Sequence, residues 1–184
     1  MESSYLPSTI KQFEYYKSLG DKTIAQLSFK ELKKEFADDS NSVSIIVKHL
    51  VGNMLSRWTN FLTEDGEKKW RKRDEEFKDT YTSKKELVES WNIGWDCLFD
   101  AIMRLSNKDL DRIIYIRNQG HTATEAINRQ MMHYAYHIGQ IVFLGKLIKG
   151  HNWKTLSIAK GKSKIYNSAK FEKDKGRRHF TEDL

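Results

Sequence analysis

Apolar side chains recur at intervals of three and four residues in four stretches of the chain, a spacing typical of amphipathic helices. Four long helices are predicted over about residues 8–27, 42–62, 83–107 and 121–150. Glu86 follows the candidate cap Ser83 by three residues, and Thr122 or Thr124 can cap the last helix. The pattern therefore predicts a mainly helical protein.

The segments between these helices carry weaker signals. Residues 28–41 are rich in charge and contain a predicted helical turn capped by Ser28, with Glu31 at the capping-box position. Residues 63–81 mix basic and acidic side chains, which is typical of a solvated charged loop. Residues 109–120 alternate weakly around residues 113–116, so we expect an extended segment that is too short to imply a sheet.

Composition and charge refine this picture. The chain has 184 residues, 39% of them hydrophobic, and a single proline, which favours one packed helical domain over residues 1–184. Most of the net charge of +7 lies in a basic tail at about residues 160–184, whose end we expect to be loose. Such a tail offers electrostatic affinity without base readout, so nucleic acid is not an expected partner.

Compartment and membrane association follow from other features of the sequence. The lone Cys97 cannot form an intramolecular disulfide, and the first ten residues lack the features of a signal peptide. No apolar run approaches the roughly 18 residues of a membrane span. We therefore expect a cytoplasmic protein without a membrane partner.

The segment HYAYH carries the main chemical signal. His133 and His137 lie one helical turn apart, a spacing that lets two imidazoles share one cation. Tyr134 stands where the zincin motif H-E-x-x-H has its glutamate, so a protease mechanism with that base is not supported. Spacing alone favours interior histidines over metal ligands, so a metal site needs a third ligand.

The best-placed third ligand is His49, because it lies on a separate long helix. His121 lies about three turns from His133 and cannot easily reach the same ion. On the wheel of the second helix, however, His49 stands with Asn53 on the side away from the apolar face. This polar side either borders a water-filled cleft or is merely exposed.

Three segments together resemble one known group of proteins. KHLVGNMLSRW at Lys48–Trp58, the following FLTEDGEKKWRKRDEEF, and RQMMHYAYHIGQIVFLGKLI are similar to the DinB/YfiT-like superfamily, in its uncharacterised bacterial branch of DinB-like metalloenzymes. The resemblance extends over nearly all of the chain. It implies an all-α four-helix bundle with long connections and a C-terminal extension, with metal ligands at His49, His133 and His137, and a homodimer.

The resemblance also implies a function. We expect one divalent metal ion, zinc or nickel, and a small-molecule substrate that reacts by hydrolysis or thiol S-transfer, with a low-molecular-weight thiol as one candidate. No general base is visible in the motif, which mildly favours thiol transfer. The alternative is a non-catalytic bundle that binds a metal or a protein partner. Candidate contacts around the ligands, from their position in the sequence, are Asn53, Arg57, Arg117, His121, Gln130 and Gln140.

Overall fold

Four long helices form the framework of the computed structural model, which describes residues 4–183. They are α1 (Tyr5–Gln26), α3 (Val43–Trp58), α4 (Lys84–Met103) and α5 (Ala123–Lys149). The short helix α2 (Phe29–Leu32) lies between α1 and α3, the strands β1 (Ile113–Ile116) and β2 (Gln119–Thr122) lie between α4 and α5, and the short helix α6 (Ser163–Phe171) follows α5. Single turns of 3₁₀-helix lie at Arg73–Phe77, Asn107–Asp109, Gly150–Asn152 and Phe180–Asp183. The prediction of a mainly helical fold is confirmed.

Side-chain caps begin three of the long helices at the expected places. Ser42 accepts a hydrogen bond from the backbone of α3, Ser83 does the same for α4, and Thr122 forms a capping box with Glu125 in α5. The predicted ends are less accurate. Helix α3 ends four residues early because Asn60 adopts a positive φ of 50°, and α4 ends at Met103 instead of Asn107.

The four long helices pack around one aromatic core. Phe13 of α1 is fully buried, with its ring centroid 6.1 Å from that of Trp58 on α3 and 6.0 Å from that of Tyr134 on α5. Helix α1 continues without a break through Gly20. A Cβ atom there would lie 2.6 Å from the Trp91 ring, so this glycine permits close helix packing.

A β-hairpin replaces the isolated extended segment that was expected before α5. Strand β1 pairs with β2 in antiparallel register, with Ile113 opposite Thr122 and Ile116 opposite Gln119. Arg117 and Asn118 form the two-residue turn, and both have positive φ angles, 55° and 60°, as a type I′ turn requires. The expectation that this segment is too short for a sheet was wrong, because this turn folds it back on itself.

The connection from α3 to α4 is not the solvated loop that its charges suggested. Asp65 accepts hydrogen bonds of 2.8 Å from the backbone N–H groups of both Arg117 and Asn118, which fastens the connection to the hairpin. Lys68 and Glu76 are buried farther along it. The 3₁₀ turn that contains Glu76 packs against α3, so the charged segment forms one wall over the polar side of that helix.

The C-terminal region is mostly exposed but returns to the helices at its end. Side chains in α6 are exposed or half-buried. Residues 179–182 contact α1: His179 hydrogen-bonds to Ser8 at 3.1 Å, and the Phe180 and Tyr15 rings lie 5.8 Å apart.

One apolar stripe faces outward on α5. Its members are spaced four and seven residues apart and are each more than half exposed; they are Met132, Tyr136, Phe143 and Leu147.

None of the helices within residues 4–183 combines the length and the apolar character needed to cross a membrane.

Candidate metal centre

Three histidines from two helices converge at one point. His49 extends from α3, and His133 and His137 extend from successive turns of α5. One ring nitrogen from each lies within 4.8 Å of the others, and the Nε2 atoms of His49 and His133 are 3.4 Å apart. His49 is only 6% exposed, so the polar side of α3 borders a cleft and is not a solvent face.

The surroundings keep two of these imidazoles neutral. Burial, followed by the neighbouring His137 and His49, lowers the pKa of His133 to about 3. Burial also lowers the pKa of His137, against a hydrogen bond with Gln140 that raises it. Neutral imidazole is the form that binds a metal ion. The lowered pKa values of these two rings therefore favour binding of a metal cation over binding of a proton.

Outer hydrogen bonds orient two of the three rings. His49 donates through Nδ1 to Glu76 at 2.9 Å, and His137 donates through Nδ1 to Gln140 at 2.8 Å. Each ring therefore presents Nε2 to the shared point, an arrangement that metal-binding histidines commonly use. The buried Nδ1 of His133 has no hydrogen-bond partner among the described residues.

Glu76 is fixed on both sides. Besides His49, it accepts hydrogen bonds from Arg71 through Nε at 2.7 Å and through Nη2 at 2.9 Å. Burial raises the pKa of this carboxyl, but the hydrogen bonds and charges of His49 and Arg71 bring it below its ordinary value. Glu76 is therefore an ionised positioning group.

A cleft of about 300 Å³ opens beside the histidines. No aspartate or glutamate is among the described residues that line it. Its polar lining outside the histidines consists of Asn53, Arg57, Arg71, Arg73, Arg117, Arg129 and Gln130, and Phe77 adds an aromatic ring. Behind this surface one Glu67 oxygen lies 3.1–3.3 Å from the guanidinium groups of Arg57, Arg71 and Arg117.

A buried hydrogen-bond chain supports the cleft from the core side. The Tyr134 hydroxyl accepts from Trp58 Nε1 at 2.9 Å and donates to Asn53 Oδ1 at 3.0 Å, which holds Asn53 at the cleft. Complete burial strongly raises the pKa of Tyr134. The tyrosine beside the histidine pair thus remains protonated and cannot serve as a base.

The predicted contact residues divide into three groups. Four of them line the cleft, namely Asn53, Arg57, Arg117 and Gln130. Gln140 reaches the site through His137. His121 is not among the residues that line the cleft: it lies on β2, and its Nε2 accepts a 3.4 Å hydrogen bond from Arg129.

Sequence reasoning missed five residues at the site: Glu76, Arg71, Arg73, Phe77 and Arg129. Four of these lie in the connection that resembled a solvated loop. The local excess of charge there was the only available signal, and it does not identify which side chains turn inward.

The donor set fits a divalent cation. Two nitrogens bound tetrahedrally at about 2.0–2.1 Å stand about 3.3 Å apart, close to the 3.4 Å between His49 and His133. Three imidazoles leave at least one coordination position for another group, as in catalytic metal sites. Such a ligand set suits zinc, nickel, copper or iron, and imidazole alone does not choose among them.

Comparison with known proteins gives one match. A family model described as a protein of unknown function (DUF1572) matches residues 1–162 of the chain. This region includes the four long helices, the hairpin and all three histidines. Searches of curated proteins and of solved structures gave no match.

Proposed function

The chain belongs to the DUF1572 family, whose description names no activity, and we propose from the site itself that it is an enzyme dependent on one divalent metal ion. His49, His133 and His137 are the proposed ligands. The observation that carries the proposal is their convergence at the edge of a cleft large enough for a small-molecule substrate.

The ion is zinc or nickel in this proposal, and it supplies positive charge that lowers the pKa of a thiol or water placed beside it. The protein contributes orientation and shielding. Glu76 fixes the ring of His49, and Phe77 stacks on that ring at 5.1 Å between centroids. Asn53, held by Tyr134, adds a polar contact at the wall of the cleft.

The reaction class is thiol S-transfer or hydrolysis, and the structure favours the first. Hydrolysis benefits from a base that removes a proton from water, whereas an ionised thiol is already a nucleophile. The carboxylate nearest the histidines, Glu76, is engaged by His49 and Arg71, and Tyr134 is protonated. A low-molecular-weight thiol is therefore the favoured nucleophilic substrate.

The DinB/YfiT-like affiliation, with its four-helix bundle, is also part of the proposal. It is supported by His49 on the second long helix and by the H-x-x-x-H pair on the fourth. The exposed apolar stripe of α5 offers a surface for the expected homodimer. It lies on the same helix as the histidine pair, so assembly and the site share one element.

Metal analysis of protein purified without a polyhistidine tag tests the site. We expect about one divalent ion per chain, and loss of that ion in the His133→Ala/His137→Ala double variant. The His121→Ala variant is the matched control, because His121 lies outside the cleft and should leave the metal content unchanged. A wild-type protein that binds no ion and gains no stability from added metal would contradict the proposal.

Turnover assays test the chemistry. Metal-loaded protein is incubated with low-molecular-weight thiols and a generic electrophile, and in parallel with ester and amide substrates. Metal-dependent consumption of the thiol supports transfer, and cleavage of the esters or amides supports hydrolysis. A filled metal site without turnover in either assay would favour the alternative of a non-catalytic metal-binding protein.

A further inference from the structure

The cleft beside the histidines is strongly basic. Five arginines line it, and the two carboxylates that contact them, Glu67 and Glu76, are not among its lining residues. Five guanidinium groups against two carboxylates leave a formal excess of three positive charges around a small volume. Such a wall favours an anionic ligand.

The five arginines of the cleft differ in whether they form ion pairs. Arg57, Arg71 and Arg117 all pair with Glu67, whereas Arg73 and Arg129 form no ion pair with the described residues. The Arg73 guanidinium lies 5.4 Å from the centroid of the Phe77 ring, and that of Arg129 donates a 3.4 Å hydrogen bond to His121 Nε2. Both side chains are exposed, so their charge is available to a ligand.

Unsatisfied polar atoms are concentrated at the same place. Among residues 4–183, four buried side-chain nitrogen or oxygen atoms lack a hydrogen-bond partner, and three of them belong to cleft residues: Arg57 Nε, Gln130 Oε1 and His133 Nδ1. Arg57 and Gln130 are each at least 95% buried. Proteins generally satisfy such atoms, so their concentration here indicates a site arranged for a bound group.

The backbone gives independent support. Arg117 holds a φ of 55° at the tip of the hairpin, a conformation that glycine and asparagine adopt more readily than arginine. Its side chain lines the cleft. An unfavourable backbone position that places a guanidinium group at a cleft is the kind of strain that is found at functional sites.

We propose that the cleft binds a small molecule carrying an oxyanion group, a carboxylate or a phosphate, with Arg73 and Arg129 as its direct contacts. The planar guanidinium group matches either oxyanion with paired N–H donors. As a statement of the substrate class, the inference rests on the proposed metal-dependent function. Anion binding by the arginines does not itself require the metal.

Calorimetric titration of the full-length, metal-loaded protein tests this site, with succinate and inorganic phosphate as probes and succinamide as the neutral analogue. The Arg73→Gln/Arg129→Gln variant removes the two unpaired guanidinium groups. Arg104→Gln/Arg112→Gln is the matched control, since it removes the same charge from exposed residues outside the cleft. Circular dichroism and metal content should match the wild type in both variants.

We expect wild-type protein to bind succinate or phosphate and to discriminate against succinamide. Loss of the two guanidinium groups should weaken anion binding about tenfold or more, whereas the control should stay within about twofold of the wild type. The more tightly bound probe identifies the oxyanion. A wild-type protein that binds neither succinate nor phosphate more tightly than succinamide, or an unchanged anion affinity in Arg73→Gln/Arg129→Gln, would overturn the inference.

The metal-free His133→Ala/His137→Ala variant separates this inference from the proposed function. Anion binding that persists in it and depends on the arginines supports the inference, even if the wild type proves to hold no metal. Anion binding that disappears with the histidines but survives loss of the arginines assigns the anion to the metal, and it overturns the role of Arg73 and Arg129.

Discussion

Replacing Glu76 with glutamine should weaken both the fold and the metal centre, because a single carboxylate joins the two. Glu76 accepts two hydrogen bonds from Arg71 and one from His49, at distances of 2.7–2.9 Å. The side chains of Glu76 and Arg71 are only 8% and 2% exposed. The substitution preserves the shape of the side chain and removes its charge.

The burial of this ion pair determines how much stability the substitution should remove. Removing one partner of a buried ion pair destabilises a protein by about 3–5 kcal/mol. Glutamine retains one acceptor oxygen, and Glu67 remains 3.3 Å from Arg71, so we expect a smaller loss of about 2–3 kcal/mol. For a chain of this length that loss lowers Tm by roughly 4–12 °C. Release of the His49 ring should weaken metal binding about 10–100-fold.

Two measurements check these values. Urea unfolding followed by tryptophan fluorescence in the presence of a chelator gives the free energy of unfolding of the metal-free protein. Competition with a chelating dye gives the metal affinity. The neighbouring Glu75→Gln variant is the control: Glu75 is exposed and its carboxylate pairs with the exposed Lys78, so the free energy of unfolding should stay close to that of the wild type. Equal effects of the two substitutions would refute the reasoning.

Three further predictions concern the core, the hairpin and the surface. Tyr134→Phe leaves two buried hydrogen-bond partners unpaired and should cost about 2–4 kcal/mol in urea unfolding, whereas the exposed Tyr115→Phe should cost less than about 0.5 kcal/mol; similar losses would contradict the buried chain. Partial burial raises the pKa of Asp65, but backbone hydrogen bonds lower it below its ordinary value, so its stabilisation is complete above the unfolded-state pKa of about 3.9 and is lost as the pH falls through the lower folded-state pKa. The stability difference between wild type and Asp65→Asn should therefore shrink on acidification from pH 6 to pH 2, and a constant difference would argue against this role. If the stripe on α5 forms the homodimer, analytical ultracentrifugation should show a dimeric wild type and a monomeric Phe143→Glu/Leu147→Glu variant; a monomeric wild type would reject it.

The helices could be predicted from the sequence because their signals are local. Ser42, Ser83 and Thr122 each cap backbone groups within three residues, and apolar spacing within each stretch marks the buried face. The ends were less accurate. Asn60 leaves the helical conformation at a point where apolar residues still continue at helical spacing, and a periodic pattern does not record such a turn.

The metal ligands could be predicted only in part from the residues. His133 and His137 follow from helical spacing, but the direction that His49 faces does not. A polar stripe on a helix has the same sequence whether it meets water or a cleft. Here the connection carrying Glu76 covers the stripe, and that packing turns His49 into a buried residue with an ionised partner.

The charged connection was misinterpreted because composition does not distinguish paired charges from solvated ones. Glu76 meets His49 across 27 residues of sequence, and Glu67 meets Arg117 across 50. These partners belong to different elements, so no local window contains both. Mixed charge at residues 63–81 is therefore as compatible with ion pairs to distant parts of the sequence as with a solvated surface.

The hairpin and this connection explain why the arginine-lined wall of the cleft could not be predicted from local sequence patterns. A two-stranded hairpin is marginal alone, and its Arg117–Asn118 turn lacks the glycine that usually favours a type I′ geometry. Asp65 compensates by accepting hydrogen bonds from both turn N–H groups, while Glu67 holds the Arg117 side chain. The connection thus stabilises the turn of the hairpin, and the hairpin fixes the position of the connection, although the local sequence of neither element favours its conformation. The arginine cleft forms only when both elements dock on the helices, and the local rules fail at the residues that give the site its charge.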